Sequence, residues 1–106
     1  MIVVTSSSVA GRRVTRTLGL VRGNTVRARH IGKDIMAGLR NIVGGEVHEY
    51  AKLIAESREQ TLDRMVAEAR SLGANAIIAT RFTTSVMAAG AAELLAVGTA
   101  VIVEDE

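Results

Sequence analysis

The stretch Leu72-Gly73-Ala74-Asn75-Ala76-Ile77-Ile78-Ala79-Thr80-Arg81-Phe82 joins two different hydrophobic periodicities. Before it, apolar residues recur every three or four positions over residues 46–72, which predicts a helix of about 40 Å. After it, side chains alternate over residues 74–87 and are rich in Ile, Val and Thr, which predicts a strand. We expect Gly73 to end the helix in a left-handed conformation, which glycine adopts without steric cost.

The remaining segments predict a shorter helix and further strands. They are, in chain order, a strand at 2–4, a bent strand or hairpin at 13–29 interrupted by Gly23-Asn24, a helix at 33–42 and a strand at 93–103. Residues 1–106 are therefore predicted to form a single α+β domain. Its antiparallel sheet carries a short and a long helix on one face.

Composition excludes several classes of site. The chain has no Cys, which rules out disulfides, thiolate metal ligands and Cys nucleophiles. It has one Tyr and one Phe, so a stacking platform for bases or a flat ligand lacks its usual aromatic walls. No segment resembles a signal peptide or a membrane span, so we expect a cytoplasmic location and no membrane partner.

The charge divides unevenly along the chain. Residues 1–45 carry eight Lys and Arg against one acid, and residues 46–106 carry five against ten. This asymmetry is typical either of nucleic-acid binding or of halves and copies that pack on one another. The basic segment has no interleaved aromatic residues and matches no binding motif, so packing is favoured and nucleic acid is the lesser alternative.

The predicted hairpin of residues 74–87 and 93–103 is apolar on both faces. Two helices on one side of the sheet can cover only one of those faces. We therefore expect a homo-oligomer in which neighbouring subunits bury the second face.

No arrangement of residues indicates catalysis, a cofactor or a metal centre. His30 and His48 are the only histidines, and their spacing matches no metal motif. Gly44-Gly45-Glu46 could offer backbone N–H groups to an anion, but the negative charge of Glu46 favours a simple turn before the long helix. We expect a protein that is not an enzyme.

Arg58 interrupts the apolar stripe of the long helix, four residues from both Ile54 and Leu62. An arginine there can lay its stem along the edge of the core and keep its guanidinium in water. Alternatively, it pairs with a carboxylate at a subunit boundary or ligand site, since interfaces favour arginine.

Several segments together resemble the YbjQ family of uncharacterised UPF0145 proteins. They are Gly44-Gly45-Glu46, Tyr50, Arg58, Arg64, Leu72-Gly73-Ala74-Asn75-Ala76, Arg81-Phe82 and Glu93-Leu94-Leu95-Ala96-Val97-Gly98-Thr99-Ala100-Val101. The resemblance implies a subunit similar to that of dodecins and a ring-like homopentamer. The family is often labelled heavy-metal-binding, a label that a chain without Cys or clustered His does not itself support.

The hydrophobic pattern predicts a homo-oligomer, and the resemblance implies that it is a pentamer; we expect its subunit crevices to hold a small ligand of unknown chemistry. The candidate ligand-binding residues are Gly44, Gly45, Glu46, Arg58, Asn75, Arg81 and Glu93. The alternative is an oligomeric metal-binding protein.

Overall fold

A computed structural model describes residues 1–28, 45–88 and 91–106. Within these residues a four-stranded sheet carries one long helix. The elements are β1 (Ile2–Val3), β2 (Arg12–Ala28), α1 (Gly45–Ser71), β3 (Ala76–Ala88) and β4 (Ala91–Asp105). The strand order in the sheet is β1-β3-β4-β2. The α+β class is confirmed, and the short helix predicted at 33–42 lies outside the described residues.

The sheet is mixed, whereas the sequence led us to expect an antiparallel one. β2 and β3 both run antiparallel to β4, as predicted. β1 is parallel to β3, with Ile2 opposite Ala76. The pairing extends past β1, because Val4 N–H donates to the Ile77 carbonyl at 2.9 Å. A short apolar strand can pair with the edge of a sheet in either the parallel or the antiparallel direction. The sequence pattern of β1 therefore does not predict its direction.

The long helix is unbroken and ends where predicted. Gly73 has a φ of 85°, which confirms its left-handed conformation. Its N–H donates to the Arg70 carbonyl at 3.0 Å, and the Ala74 N–H donates to the Ala69 carbonyl at 3.1 Å. These two bonds form the Schellman motif, which satisfies carbonyls of the last helical turn.

β2 is one continuous strand, and Gly23 does not form a turn in it. A Cβ at Gly23 would lie 2.6 Å from the Met65 backbone nitrogen and even closer to the Thr61 carbonyl oxygen. The helix backbone therefore crosses directly over this glycine, a close approach that only a residue without a side chain permits.

Irregular register near the start of β2 overturns the simple alternation that we expected there. Shifts occur between Val14 and Arg16 and between Thr17 and Gly19. Each extra residue reverses the side to which the following side chains point. Val14 and Leu20 consequently lie on the side away from the helix, whereas Leu18 packs against the helix-side core.

A small buried cluster of Ala76, Val101 and Val103 is separate from the main core, which lies between α1 and the sheet. The fully buried members of the main core are Val21, Met65, Ala69, Ile77, Ala96 and Ala100. Leu72, which we assigned to the apolar stripe, is 46% exposed because the helix has already ended.

Candidate functional site

A buried polar layer joins α1 to β2. Thr25 Oγ1 lies 2.9 Å from Thr61 Oγ1, and the Thr61 hydroxyl donates to the Ser57 carbonyl at 2.8 Å. Arg27 Nε donates to Ser57 Oγ at 2.7 Å, and its guanidinium also contacts Gln60. The hydroxyls satisfy one another, so this layer fixes the position of the helix and leaves little capacity for a ligand.

Sequence reasoning missed this layer, because it followed only apolar residues. Ser57, Thr61, Met65 and Ala69 recur at four-residue intervals and are all fully buried. This run of small and apolar residues was the available signal. It also explains Arg58, which lies beside the buried row and is itself exposed.

A groove opens on the opposite flank of the helix, beside β1 and β3. The polar layer and Gly23 draw α1 towards β2, so the sheet on the β3 side is incompletely covered. The groove has a volume of about 350 Å³. It is lined by Val3, Val4, Thr5, Glu59, Leu62, Asp63, Val66, Thr80 and Phe82.

The polar groups of this groove are acidic or unpartnered. Glu59 and Asp63 lie one helical turn apart, are exposed, and form no ion pair with the described side chains. Thr80 is 2% exposed, and its Oγ1 is the one buried side-chain polar atom without a hydrogen-bond partner in the described part of the chain. Phe82 is 46% exposed. Neither Lys nor Arg is among the described residues that line the groove.

The strand beneath the groove is strained. Ala79 has a φ of 53°, and the register of β3 on β4 shifts between Ile78 and Arg81. The Ala79 N–H donates to the Ser6 carbonyl at 2.8 Å, which holds the irregular backbone in place. Such strain in a non-glycine residue costs about 1–3 kcal/mol and clusters at ligand clamps and switches.

The side of the sheet away from α1 presents a second candidate surface, here called the open face. Its central part is formed by Leu20, Arg22, Asn24, Val26, Ile78, Arg81, Thr83, Ser85, Glu93, Leu95, Val97 and Thr99, which the strand register places on one side. Leu20 is 67% exposed and Val26 is 51% exposed. No described helix lies over this face.

The basic strand β2 forms ion pairs with acidic residues of the same chain. Arg12 Nη1 lies 3.7 Å from Asp105 Oδ1, and Arg13 Nη2 lies 3.8 Å from Glu104 Oε2. All four side chains are exposed. The uneven charge of the two halves is therefore partly compensated where β2 meets the end of β4. Exposed pairs of this kind contribute only about 0–1 kcal/mol each.

The predicted ligand-binding residues do not form one cluster within a single chain. Arg81 and Glu93 share the open face but lie far apart on it. Arg81 is opposite Val97, and Val97 is four residues from Glu93 along β4, a distance of about 13 Å. Arg58 lies on α1, across the sheet from both. Gly45 begins α1 and Glu46 follows it, whereas Gly44 lies outside the described residues.

Asn75 has a structural explanation. Its side-chain amide donates to the Val103 carbonyl at 2.9 Å, and its Oδ1 accepts from the Val103 N–H at 2.8 Å. The amide group thus imitates a strand backbone and extends the pairing of β3 with β4 by one residue. Arg81 is also engaged, since its Nη1 donates to the Thr5 and Thr80 carbonyls at 2.8 Å.

Comparison with known proteins shows where the chain belongs. A sequence profile of the YbjQ family, described as "Putative heavy-metal-binding", matches residues 1–104. The chain belongs to the YbjQ family. The match spans all the described strands and the helix apart from the last residue of β4, so the resemblance stated from the sequence is confirmed.

Relatives of the YbjQ chain occur in archaea and bacteria. A UPF0145 protein of Methanosarcina acetivorans is 54% identical over 101 residues, covering 95% of each chain. One from Dehalococcoides mccartyi is 56% identical and covers 98% of this chain and 100% of the relative. A solved structure of a protein of unknown function from Pediococcus pentosaceus, described as a DUF74 member, has a TM-score of 0.65 at 14% identity, with 98% of both chains covered. That likeness concerns the fold alone.

The description of the family as heavy-metal-binding can be compared with the donor atoms that the described residues offer. No group of three His, Cys, Asp or Glu side chains converges among them. Heavy metals prefer thiolate and imidazole ligands, and the chain has no Cys. The described residues of this YbjQ-family chain therefore do not fit a metal centre within one subunit. No described helix has the length and apolar character needed to cross a membrane.

Proposed function

We propose that the protein is a non-enzymatic, cytoplasmic homo-oligomer, a pentameric ring of dodecin-like subunits, that holds a small ligand in the crevices between subunits. The open face carries this proposal. Leu20 and Val26 expose most of their surface there, and Leu95 and Val97 lie between them and β3 on the central strand. A surface that exposes aliphatic side chains among charged and polar ones in this way is typical of a protein–protein contact.

The second copy is the occupant that the charges on this face favour. Arg22 and Arg81 flank Val97 from the two neighbouring strands. The outward side of α1 offers the exposed carboxylate of Glu56, which lies outside the groove. A head-to-tail contact, helix surface against open face, joins these opposite charges and closes into a ring when its rotation allows.

Such a contact also explains why the predicted ligand-binding residues are dispersed in one chain. Arg58 projects from α1, and Arg81 and Glu93 lie on the open face. Only between two copies can these side chains approach one another. The proposed crevice therefore takes Arg58 from one subunit and Arg81 and Glu93 from the next.

Light scattering tests the assembly. We expect a mass of several copies for the native protein, and a monomer at micromolar concentration contradicts the proposal. Val97→Glu on the open face should lower the mass, because it buries a charge in the contact. Val86→Glu is the matched control: Val86 is 82% exposed and its register places it on the helix side, so this variant should retain the native mass.

Metal binding is the alternative, and the description of the family supports it. The ligands would have to come from several copies or from side chains that the structure does not describe, such as those of His30 and His48. Calorimetric titration with zinc, copper and nickel decides the matter. Saturable heat that is lost in the His30→Ala/His48→Ala variant supports the alternative, and the absence of saturable heat removes it.

A further inference from the structure

The groove between α1 and β3 combines features that the proposed assembly does not use. All nine lining residues belong to one chain, and the groove lies on the helix side of the sheet, away from the open face. The inference below therefore goes beyond the proposed assembly and does not depend on it.

The walls of the groove suit an apolar molecule of modest size. Val3, Val4, Leu62 and Val66 supply aliphatic surface, and Phe82 adds the face or edge of an aromatic ring. A volume of about 350 Å³ lies at the lower end of the usual range for small-molecule sites, about 300–1,000 Å³.

The charged groups of the groove select a cation. Glu59 and Asp63 bring two carboxylates to the same wall, and no Lys, Arg or His is among the described residues that line it. Arg81 lies nearby and donates to the carbonyls of two lining residues, Thr5 and Thr80. The exposed ring of Phe82 adds a surface that attracts ammonium groups by the cation–π interaction. A carboxylate ligand would be repelled here.

Thr80 provides an independent indication of a ligand. Its hydroxyl has no partner and packs over the backbone of Gly98, where a Cβ would come within 3.2 Å of Oγ1. Thr80 also lines the groove, so its unpartnered hydroxyl belongs to the wall against which a bound molecule would lie. An unpartnered buried hydroxyl is costly unless something satisfies it, and the strained Ala79 beside it holds the residue in this position.

We propose that the groove between α1 and β3 binds small primary amines, with the ammonium group held by Glu59 and Asp63, the hydroxyl of Thr80 as an additional partner, and the hydrocarbon body against Leu62, Val66 and Phe82.

Three probes with the same six-carbon chain and different head groups test this inference on the full-length protein. They are hexylamine, hexanol and hexanoate. Backbone amide shifts of Leu62, Val66, Thr80 and Phe82 should move saturably with hexylamine, less with hexanol and not with hexanoate. Hexylamine affinity should fall between about 0.01 M and about 1 M salt, where the screening length drops about tenfold. Equal binding of all three probes, or no saturable shift with hexylamine, overturns the proposal.

Matched variants locate the head group. Glu59→Gln and Asp63→Asn should each weaken hexylamine binding about two- to fivefold, the size of an exposed charge pair, and leave hexanol binding unchanged. Glu68→Gln removes an equal charge from the same helix outside the groove, so this variant should bind hexylamine as the native protein does. If this control variant weakens binding as much as the groove variants, the carboxylates act only through net charge and the proposed site is wrong.

Thr80→Val separates a ligand role from a structural one. It should raise the melting temperature of the free protein, because it removes the unpartnered hydroxyl, and weaken hexylamine binding at least twofold. A higher melting temperature with unchanged hexylamine affinity removes Thr80 from the site.

Discussion

Gly23→Ala is the sharpest test of how the helix is positioned. The new Cβ would lie 2.6 Å from the Met65 backbone nitrogen, 3.0 Å from Arg64 Cβ and nearer still to the Thr61 carbonyl. Two of these three contacts are with helix backbone, which cannot rotate aside as a side chain can. The whole helix must therefore move away from β2.

The magnitude follows from three contributions. Inserting a methyl group into a filled contact costs about 1–3 kcal/mol. The hydrogen bond between the Thr25 and Thr61 hydroxyls, 2.9 Å long, is stretched as the helix moves, which costs about 1 kcal/mol. Alanine lowers the conformational entropy of the unfolded chain relative to glycine, which stabilises the folded protein by about 0.4–1 kcal/mol. We expect the free energy of unfolding to fall by about 1–3 kcal/mol.

Urea unfolding followed by circular dichroism measures this loss. With a slope of about 2 kcal/mol per molar urea, the midpoint should drop by about 1 M. Native and variant proteins must be compared at one concentration, because assembly would add its own stabilisation. Thr84→Ser, at an exposed position on the helix side of β3, is the control and should change little. A Gly23→Ala midpoint equal to that of the control would refute the close crossing of helix and strand.

Three further substitutions test other contacts by the same unfolding measurement. Gly73→Val should lower the free energy of unfolding by more than about 1 kcal/mol, because a branched side chain is strained at a φ of 85°; Gly73→Asn, which tolerates that conformation, should cost less, and equal losses would reject the cap. Asn75→Ala should cost about 1–3 kcal/mol, because it removes both bonds to the Val103 backbone; an unchanged midpoint would show that these bonds contribute nothing. Thr80→Val should raise the free energy of unfolding by about 1 kcal/mol, because the unpartnered hydroxyl disappears, and a loss of stability would mean that the hydroxyl has a partner.

The long elements could be predicted because their patterns are long. Twenty-seven residues of α1 repeat the helical period several times, and the glycine that ends the helix has a conformational preference of its own. β3 and β4 alternate over thirteen and fifteen residues. Local chemistry decides these features, so a single sequence reveals them.

The features that could not be predicted depend on partners distant in the chain. The bulge at Ala79 involves a non-glycine residue with a φ of 53°, and its N–H donates to the Ser6 carbonyl. The parallel direction of β1 is set by the edge of β3. Gly23 looked like a turn because the helix that crosses it begins more than twenty residues later. No local sequence pattern identifies contacts between residues so far apart in the chain.

The candidate site shows the same division. The hydrophobic pattern and the family resemblance predict Arg58, Arg81 and Glu93 as site residues, and the structure places them on two sides of the sheet. No local pattern distinguishes Glu59 and Asp63 from the other acids of the helix. Their common groove arises only because α1 lies closer to β2 than to β3, a consequence of Gly23 and the hydroxyl layer.

The position of β4 also governs how the chain can fold. β4 is the last strand in chain order, yet it lies between β3 and β2. The seventeen residues of β2 are synthesised early and have no strand to pair with until β4 emerges. Arg12 pairs with Asp105, so that contact closes a loop of nearly the whole chain. Such distant pairings slow folding, because loop-closure entropy is lost before the contact forms. The hairpin of β3 and β4 is local and can form first, as a template onto which β2 and β1 are added after synthesis.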